Sequence, residues 1–260
     1  MKLLDLNIGI KLDNNDDVIN FINMEDADIC TFQEAMNGTQ DSCFEMFKSA
    51  NKINNIANYP YNAFAPLFIA DGITKDGNIV RDFGGKAEQG CLLVSKYNIK
   101  DHKNQFYYNE YRYEYDATNF REEDWCRSIQ NAIIDIDGKE LQIINVHGIW
   151  NKDKVGDDRT IMQSKFILDN IREDIPVIVV GDFNLLPDTE SIKILNDKLI
   201  NLIEEYNIKS TRPTFDDGLD VGNLVCDYVF VNDKIVVNDL KVINSNISDH
   251  LPIILDFDIK

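Results

Sequence analysis

Apolar residues in this chain gather into short runs rich in β-branched and aromatic side chains, and most of these runs break at a polar residue or a glycine. Residues 3–10 (LLDLNIGI), 27–35 (ADICTFQEA), 91–99 (CLLVSKYNI), 141–150 (LQIINVHGIW), 177–184 (VIVVGDFN), 227–233 (DYVFVND), 235–243 and 251–259 (LPIILDFDI) all have the length and composition of strands. Between them, Asp16–Asn23 reads as a short helix. Asp158–Asp174 reads as a longer one, with Met162/Phe166 and Ile167/Ile171 as i,i+4 apolar pairs. A further helix with a downstream turn is expected over Asp188–Tyr206. Twice the chain runs strand, helix, strand with polar residues at the strand ends, where ligands of α/β sheets bind. The two stretches are too different in sequence to be a repeat.

The middle of the chain is less regular. Glycine-rich Asp71–Gly90 is expected to be a long loop or a hairpin. Residues 106–125 crowd Phe106, Tyr107, Tyr108, Tyr111, Tyr113, Tyr115, Phe120 and Trp125 among charges. Tyr111, Tyr113 and Tyr115 alternate as on one face of a strand. That pattern fits a core edge covered by tyrosines or a stacking platform for bases. At 260 residues, with no linker or low-complexity tail, the chain is expected to form one domain over 1–260, with a variable insert around 71–128.

Charge changes the picture more than composition does. The formal net charge is −19. A global field of that sign repels polyanions and argues against a broad basic face for duplex binding, although a local basic groove is compatible with it. The five cysteines are widely spaced with no C-x-x-C pair, so reduced, buried thiols are expected rather than a zinc site or disulfides. No stretch is long and apolar enough to span a membrane. The opening MKLLDLNIGI breaks at Asp5 and Asn7, too early for a signal peptide, so a cytoplasmic location is the default expectation.

Six polar strand ends stand out as candidate chemistry: Asn7, Glu34, His147, the Asp182/Asn184 pair, Asp227, and Asp249 with His250. Taken singly, a strand-end Asn or Asp is most often a turn former. Taken together the set is chemically coherent. The chain has three histidines and two of them, His147 and His250, belong to it. Carboxylates such as Glu34 and Asp249 suit a hard divalent cation, Mg2+ or Mn2+. Imidazoles nearby suit proton transfer at neutral pH. An amide such as Asn184 can donate to a phosphate oxygen as charge builds on it. No Cys or Ser sits in a nucleophile setting, so attack by water fits better than a covalent enzyme.

The order N…QE…NVH…GDFN…DYVFV…SDHLP, spanning Asn7 to Pro252, resembles the endonuclease/exonuclease/phosphatase superfamily of DNase I-like enzymes. GDFN together with a late SDH is the specific part. Arg127 in WCRSIQNAIIDIDG and the Arg159…Gln163 spacing support it. The resemblance implies an α/β fold, a four-layer sandwich of two mixed sheets packed face to face with helices outside. It implies Asn7, Glu34 and Asp249 around a divalent metal, Mg2+ or alternatively Mn2+. It implies His250, oriented by Asp227, as general base or phosphate ligand, with Asp182 the competing candidate for activating water. Asn184 would stabilise the transition state, His147 would bond the phosphate or protonate the leaving oxygen, and Arg127 would contact phosphate. The activity implied is hydrolysis of a phosphodiester by in-line water attack. A nuclease acting on nucleic acid is the first expectation and a small-substrate phosphodiesterase or phosphomonoesterase the alternative; a non-catalytic scaffold is the least favoured. The DNA-gripping signatures of the abasic-site branch, W-N-x-N-G-[IL]-R and LQE-[ST]-K, are replaced here by LNIGIKL and FQEAM, and residues 71–125 match no branch.

Overall fold

A computed structural model describes residues 1–9, 15–116, 126–213, 215–216, 219–220 and 223–260; for 114–116, 215–216 and 219–220 it describes the backbone alone. The strands are β1 (Lys2–Asn7), β2 (Ile29–Gly38), β3 (Tyr61–Lys75), β4 (Asn78–Ser95), β5 (Asn98–Tyr108), β6 (Arg112–Asp116), β7 (Arg127–Ile136), β8 (Lys139–His147), β9 (Val177–Asp182), β10 (Ile200–Asn201), β11 (Phe215–Asp216), β12 (Leu219–Asp220), β13 (Asp227–Val231), β14 (Ile235–Val242) and β15 (Ile253–Ile259). The helices are α1 (Asp16–Glu25), α2 (Ser49–Asn54), α3 (Asp158–Asp169), α4 (Glu190–Asn196) and α5 (Leu202–Glu205).

Two mixed sheets carry the fold. One has the order β14-β15-β1-β2-β4-β3-β6 and the other β10-β13-β9-β8-β7-β5; β11 and β12 form a separate pair. The two-residue period of β1 explains the layering. Leu4, Leu6 and Ile8 face outward and pack with Cys30 and Phe32 under α1 (Val18, Phe21, Ile22) and α2 (Ala50, Ile53). Leu3 faces inward with Ile29 and Leu93, in one core with Ile129, Ile143 and Ile178 of the other sheet. The α3 residue Ile167 and the α4 residues Ile192 and Leu195 pack on that second sheet. This is the α/β sandwich that the sequence resemblance implied.

The inward faces are not purely apolar. Asp5, Thr31 and Gln33 lie between the sheets, all 1 % exposed or less. Gln33 Nε2 donates to Asp5 Oδ1 (2.8 Å) and to Asn145 Oδ1 of the opposite sheet (2.7 Å). Asn145 Nδ2 in turn donates to Gln130 Oε1 (2.9 Å), and Gln130 Nε2 to the Ala63 carbonyl (2.8 Å). A buried polar group is costly without a partner. These amides therefore lock the two sheets in one relative position. Gly181 makes room for them: its φ is +133°, and a Cβ there would lie 2.2 Å from the Val146 carbonyl oxygen and 3.0 Å from Gln33 Nε2.

Several expectations are refined. Asp71–Gly90 is a long hairpin made by β3 and β4, turning at Asp76-Gly77 with φ of 51° and 74°. Both central residues have positive φ, as the right-handed twist of a two-residue hairpin prefers. The run 91–99 is not one strand; it turns after Ser95 and passes to β5 in the other sheet. The longer helix ends at Asp169 rather than Asp174; at its start Asp157 and Thr160 form a reciprocal capping box. The helix expected over 188–206 breaks in two, because Asn201 pairs with Phe230 in the sheet and then caps α5. Tyr113 lies on β6, at the sheet edge beside β3, its hydroxyl on Asp71 (3.0 Å) and Lys86 over its ring (5.0 Å). Tyr111 bonds Glu88 (3.0 Å). The side chain of Tyr115, and Phe120 and Trp125, lie outside the described residues. All five cysteines are buried and free. Among the described residues no helix is long and apolar enough to cross a membrane.

Burial pushes the Asp5 carboxyl up to about 7 despite its bonds from Gln33 and Thr31. The folded protein then keeps this proton where the unfolded chain, with an ordinary carboxyl near pH 4, has lost it. The folded state binds more protons across that window, so stability falls as pH rises from about 4 to about 7. Asp5→Asn should flatten this loss in urea unfolding measured across the window. An unchanged slope would contradict the buried-acid account.

Candidate active site

The topology brings the polar strand ends to one edge of the sandwich. β8 and β9 are parallel, so His147 and Asp182 end side by side as a registered pair. β13 runs antiparallel and begins there, pairing Asp227 with Asp182. In the other sheet β1 and β2 are parallel and place Asn7 beside Gln33. The chain enters β15 through Ser248–His250, and Ser248 Oγ ties that turn to β1 by donating to the Asn7 carbonyl (2.6 Å). Gly9 is required beside it: φ is +64°, and a Cβ would sit 2.9 Å from Asp249 Oδ1.

Local backbone irregularities aim the side chains. Pairing of β2 with β4 jumps from Phe32/Leu92 to Ala35/Gly90, so Gln33 and Glu34 bulge out opposite one residue. Glu34 takes φ of 56°, unusual for a glutamate. Its Oε1 accepts from Asn7 Nδ2 (3.3 Å) and lies 3.8 Å from His147 Nε2. Asn7 Nδ2 also donates to Asp182 Oδ2 (3.0 Å), while Asn7 Oδ1 accepts from the Gly9 amide (3.0 Å). The Asn7 side chain therefore bridges two carboxylates as a donor. Its oxygen accepts from the Gly9 backbone amide, so the side chain links β1 to both carboxylates. Asn184, with φ of 56°, folds back so that its amide N–H reaches Asp182 Oδ1 (2.8 Å) and its Nδ2 reaches Asp182 Oδ2 (3.1 Å). Lys154 Nζ donates to Asn184 Oδ1 (2.6 Å).

Around His250 the bonds form a chain. Nδ1 lies 2.8 Å from Asp227 Oδ1, and Asp227 Oδ2 accepts from Thr211 Oγ1 (2.6 Å). Arg212 Nη1 lies 2.6 Å from His250 Nε2, and its Nη2 donates to Asp249 Oδ2 (2.9 Å). Burial disfavours the imidazolium, but Asp227 and Asp182 outweigh it and push His250 well above its ordinary value. Against that, a guanidinium has donors only. With Arg212 seated at Nε2, that nitrogen presents its lone pair and the ring proton sits on Nδ1 toward Asp227. His147 differs: burial, reinforced by the Arg127 guanidinium, pushes it down to about 3, so this ring is neutral at physiological pH. Burial works against ionisation of Asp182, yet the charge of a protonated His250, then that of Lys154 and the bond from the Asn184 amide, hold it below the usual carboxylate range.

Two groupings can be tested as a cation site. Ligand-type atoms of Asp182, Cys226, Asp227 and His250 lie within 4.8 Å of one another. Their bonds are largely committed internally, however, and burial pushes the Cys226 thiol up to about 11, which leaves it protonated. Glu34 and Asp249 fit better. Both offer hard oxygens, and Glu34's carboxyl is pushed up by burial and then by the charge of Asp249. The Arg212 guanidinium on Asp249 demonstrates that positive charge is accommodated there.

Residues 7–250 match the Endonuclease/Exonuclease/phosphatase family. The chain belongs to that family. No curated protein matches the sequence at a significant level. Among solved structures, an endonuclease/exonuclease/phosphatase from Beutenbergia cavernae superposes with a TM-score of 0.74 at 14% identity, over 100% of this chain and 71% of that one. A mannosyl-6-phosphatase from Bacteroides thetaiotaomicron gives 0.70 at 14% identity over 100% of both chains. A humanized D. rerio TDP2 gives 0.68 at 13% identity over 99% and 98%. At these identities the structural likeness concerns the fold.

Of the residues expected from the sequence of this family member, Asn7, Glu34, His147, Asp182, Asn184, Asp227, Asp249 and His250 converge through the contacts above. Arg127 is buried nearby; it donates from Nε to the Gly148 carbonyl (2.7 Å) and from Nη1 to the Cys126 carbonyl (3.1 Å), holding the backbone just past His147. Sequence reasoning missed Thr211, Arg212 and Lys154, which sit in segments with no hydrophobic period to mark them.

Because Glu34 is largely desolvated and feels the charge of Asp249, replacing it should relieve repulsion. Glu34→Gln is expected to raise unfolding stability in EDTA by about 1 kcal/mol and to abolish the rise in Tm on adding Mg2+. A variant less stable than wild type that still responds to Mg2+ would contradict this.

Proposed function

We propose that this chain is a divalent-metal-dependent phosphodiester hydrolase, using Mg2+ or in its place Mn2+, that breaks a P–O bond by in-line attack of water. The observation that supports it most is the buried Asp227–His250 pair, in which the ring's Nε2 lies 3.7 Å from Asp182 Oδ2 and 2.6 Å from Arg212 Nη1. Glu34 and Asp249 would hold the ion. Bound there, it would polarise the phosphate and offset the charge of the leaving oxygen.

The remaining roles follow from the chain's own groups. His250, with Nδ1 anchored on Asp227, takes the proton of the attacking water at Nε2. Asp182 is the weaker candidate for that task, because its oxygens already accept from Asn7 and Asn184. Asn184 Nδ2 supplies a hydrogen bond to the phosphate oxygens as they gain charge. His147, neutral across the working range, donates a hydrogen bond from its ring rather than acting as a cationic acid. Asn7 spaces Glu34 and Asp182, and Arg127 positions Gly148 behind His147. Substrate choice would fall to the insert around 71–128, whose Arg127 holds the backbone just past His147.

A nuclease is the first reading of the substrate. A second reading, hydrolysis of a small phosphoester, draws support from the net charge of −19, since a small substrate needs only the local pocket. The fold shared with a mannosyl-6-phosphatase is compatible with it.

Purified protein should hydrolyse members of a panel of abasic duplex, single-stranded DNA, RNA, a phospholipid head group and a bis-aryl phosphate with Mg2+, and none with EDTA. His250→Ala should lower kcat by at least about 10²-fold. Wild-type-like turnover in that variant, or turnover undiminished by EDTA, would overturn the proposal. A KM that rises with salt on DNA alone would favour the nuclease over the small-substrate reading.

A further inference from the structure

Arg212 places both terminal nitrogens on groups that the proposed reaction needs. Nη1 is 2.6 Å from His250 Nε2 and Nη2 is 2.9 Å from Asp249 Oδ2. The neutral ring of His250 has a single lone pair at Nε2. While the guanidinium occupies it, that nitrogen cannot accept a proton from water. On Asp249, the guanidinium likewise competes with any other cation for the same carboxylate. Arg212 must therefore withdraw from both before the chemistry assigned to them begins.

Its anchoring leaves the side chain as the part that moves. The Thr211 amide donates to the Leu224 carbonyl (2.9 Å), and the Thr211 carbonyl accepts from the Leu251 amide (2.8 Å), one residue past His250. Thr211 Oγ1 is held at the same time by the Cys226 and Asp227 amides (3.1 Å each) and donates to Asp227. The backbone of Arg212 is thus pinned between the entry to β13 and the turn carrying the histidine. The guanidinium pivots from a fixed point at the rim, its side chain still 18% exposed. A planar two-pronged donor fits a pair of phosphate oxygens as well as it fits a nitrogen and a carboxylate oxygen.

We propose that Arg212 is a phosphate-binding residue that doubles as a resident counter-ion, resting on Asp249 and His250 until a phosphate group arrives and draws it across. The inference rests on the phosphoesterase reading above and adds to it a specific ligand for the non-bridging phosphate oxygens. It also adds a competition: the arginine weakens cation binding before substrate enters and strengthens phosphate binding afterward.

The test compares wild type with Arg212→Gln by calorimetry, with Mg2+ alone and then with inorganic phosphate on the Mg2+-saturated protein. The glutamine variant should bind Mg2+ more tightly, by about fivefold or more, because a competitor for Asp249 is gone. It should bind phosphate more weakly, by about tenfold or more, through loss of a charge-assisted pair. A merely structural arginine would not move the two affinities in opposite directions. Unchanged or weaker Mg2+ binding, or unchanged phosphate binding, overturns the proposal. Should the glutamine variant fail to fold, Arg212→Lys serves. It keeps the charge and loses the fork, and is expected to bind phosphate about threefold or more weakly; phosphate affinity equal to wild type overturns the proposal there too. Wild type that binds no Mg2+ and cleaves no ester overturns the functional reading together with this one. Wild type that does both, with a glutamine variant that matches it, overturns the role of Arg212 alone.

Discussion

The two sheets are joined across their inner faces by side-chain amides, and the candidate site depends on that junction. Gln33 reaches from β2 to Asn145 of β8, and Asn7 reaches from β1 to Asp182 of β9. An apolar interface would tolerate a slip between layers at small cost. An interface of buried amides does not, because a slip leaves donors and acceptors without partners. Half of the site rides on each sheet: Glu34 and the turn of Asp249 and His250 on one, His147, Asp182 and Asp227 on the other. The network that fixes the layers therefore also fixes the distances between these groups.

Charge is arranged against the same background. The whole molecule is strongly acidic, yet Arg127, Lys154 and Arg212 gather where Glu34, Asp182, Asp227 and Asp249 converge. Each cation has a different task. Arg127 adds to the burial that keeps the neighbouring His147 neutral, Lys154 orients Asn184, and Arg212 neutralises Asp249. The acids gain less from folding: burial raises the proton affinity of Asp5 and Glu34, so both work against the folded state when ionised. A site that concentrates like charge in this way stores instability, which a bound cation can relieve.

Much of this was legible before the structure. The polar strand ends were visible because strands have a two-residue period, so a polar residue breaking an apolar run marks an edge. The parallel pairs β1/β2 and β8/β9 then bring those edges together. What could not be read was geometry carried by single residues. Nothing in FQEA announces that Gln33 and Glu34 bulge, since neither is glycine. The direction of the Asn7 amide follows from which neighbours it meets, and they lie far away in sequence. Arg212 and Lys154 sit in irregular segments and matter because of what they reach. The helix over 188–206 failed as an expectation because a tertiary pairing of Asn201 with Phe230 overrode its local preference.

The central claim is that Glu34 and Asp249, from separate segments, share one hard cation beside the Asp227–His250 pair. Anomalous scattering from crystals grown with Mn2+ tests it most directly. The account predicts a single strong peak within coordination distance of a Glu34 oxygen and an Asp249 oxygen, with the Arg212 guanidinium displaced from Asp249. A peak instead among Asp182, Cys226, Asp227 and His250, or no peak at saturating Mn2+, would contradict it.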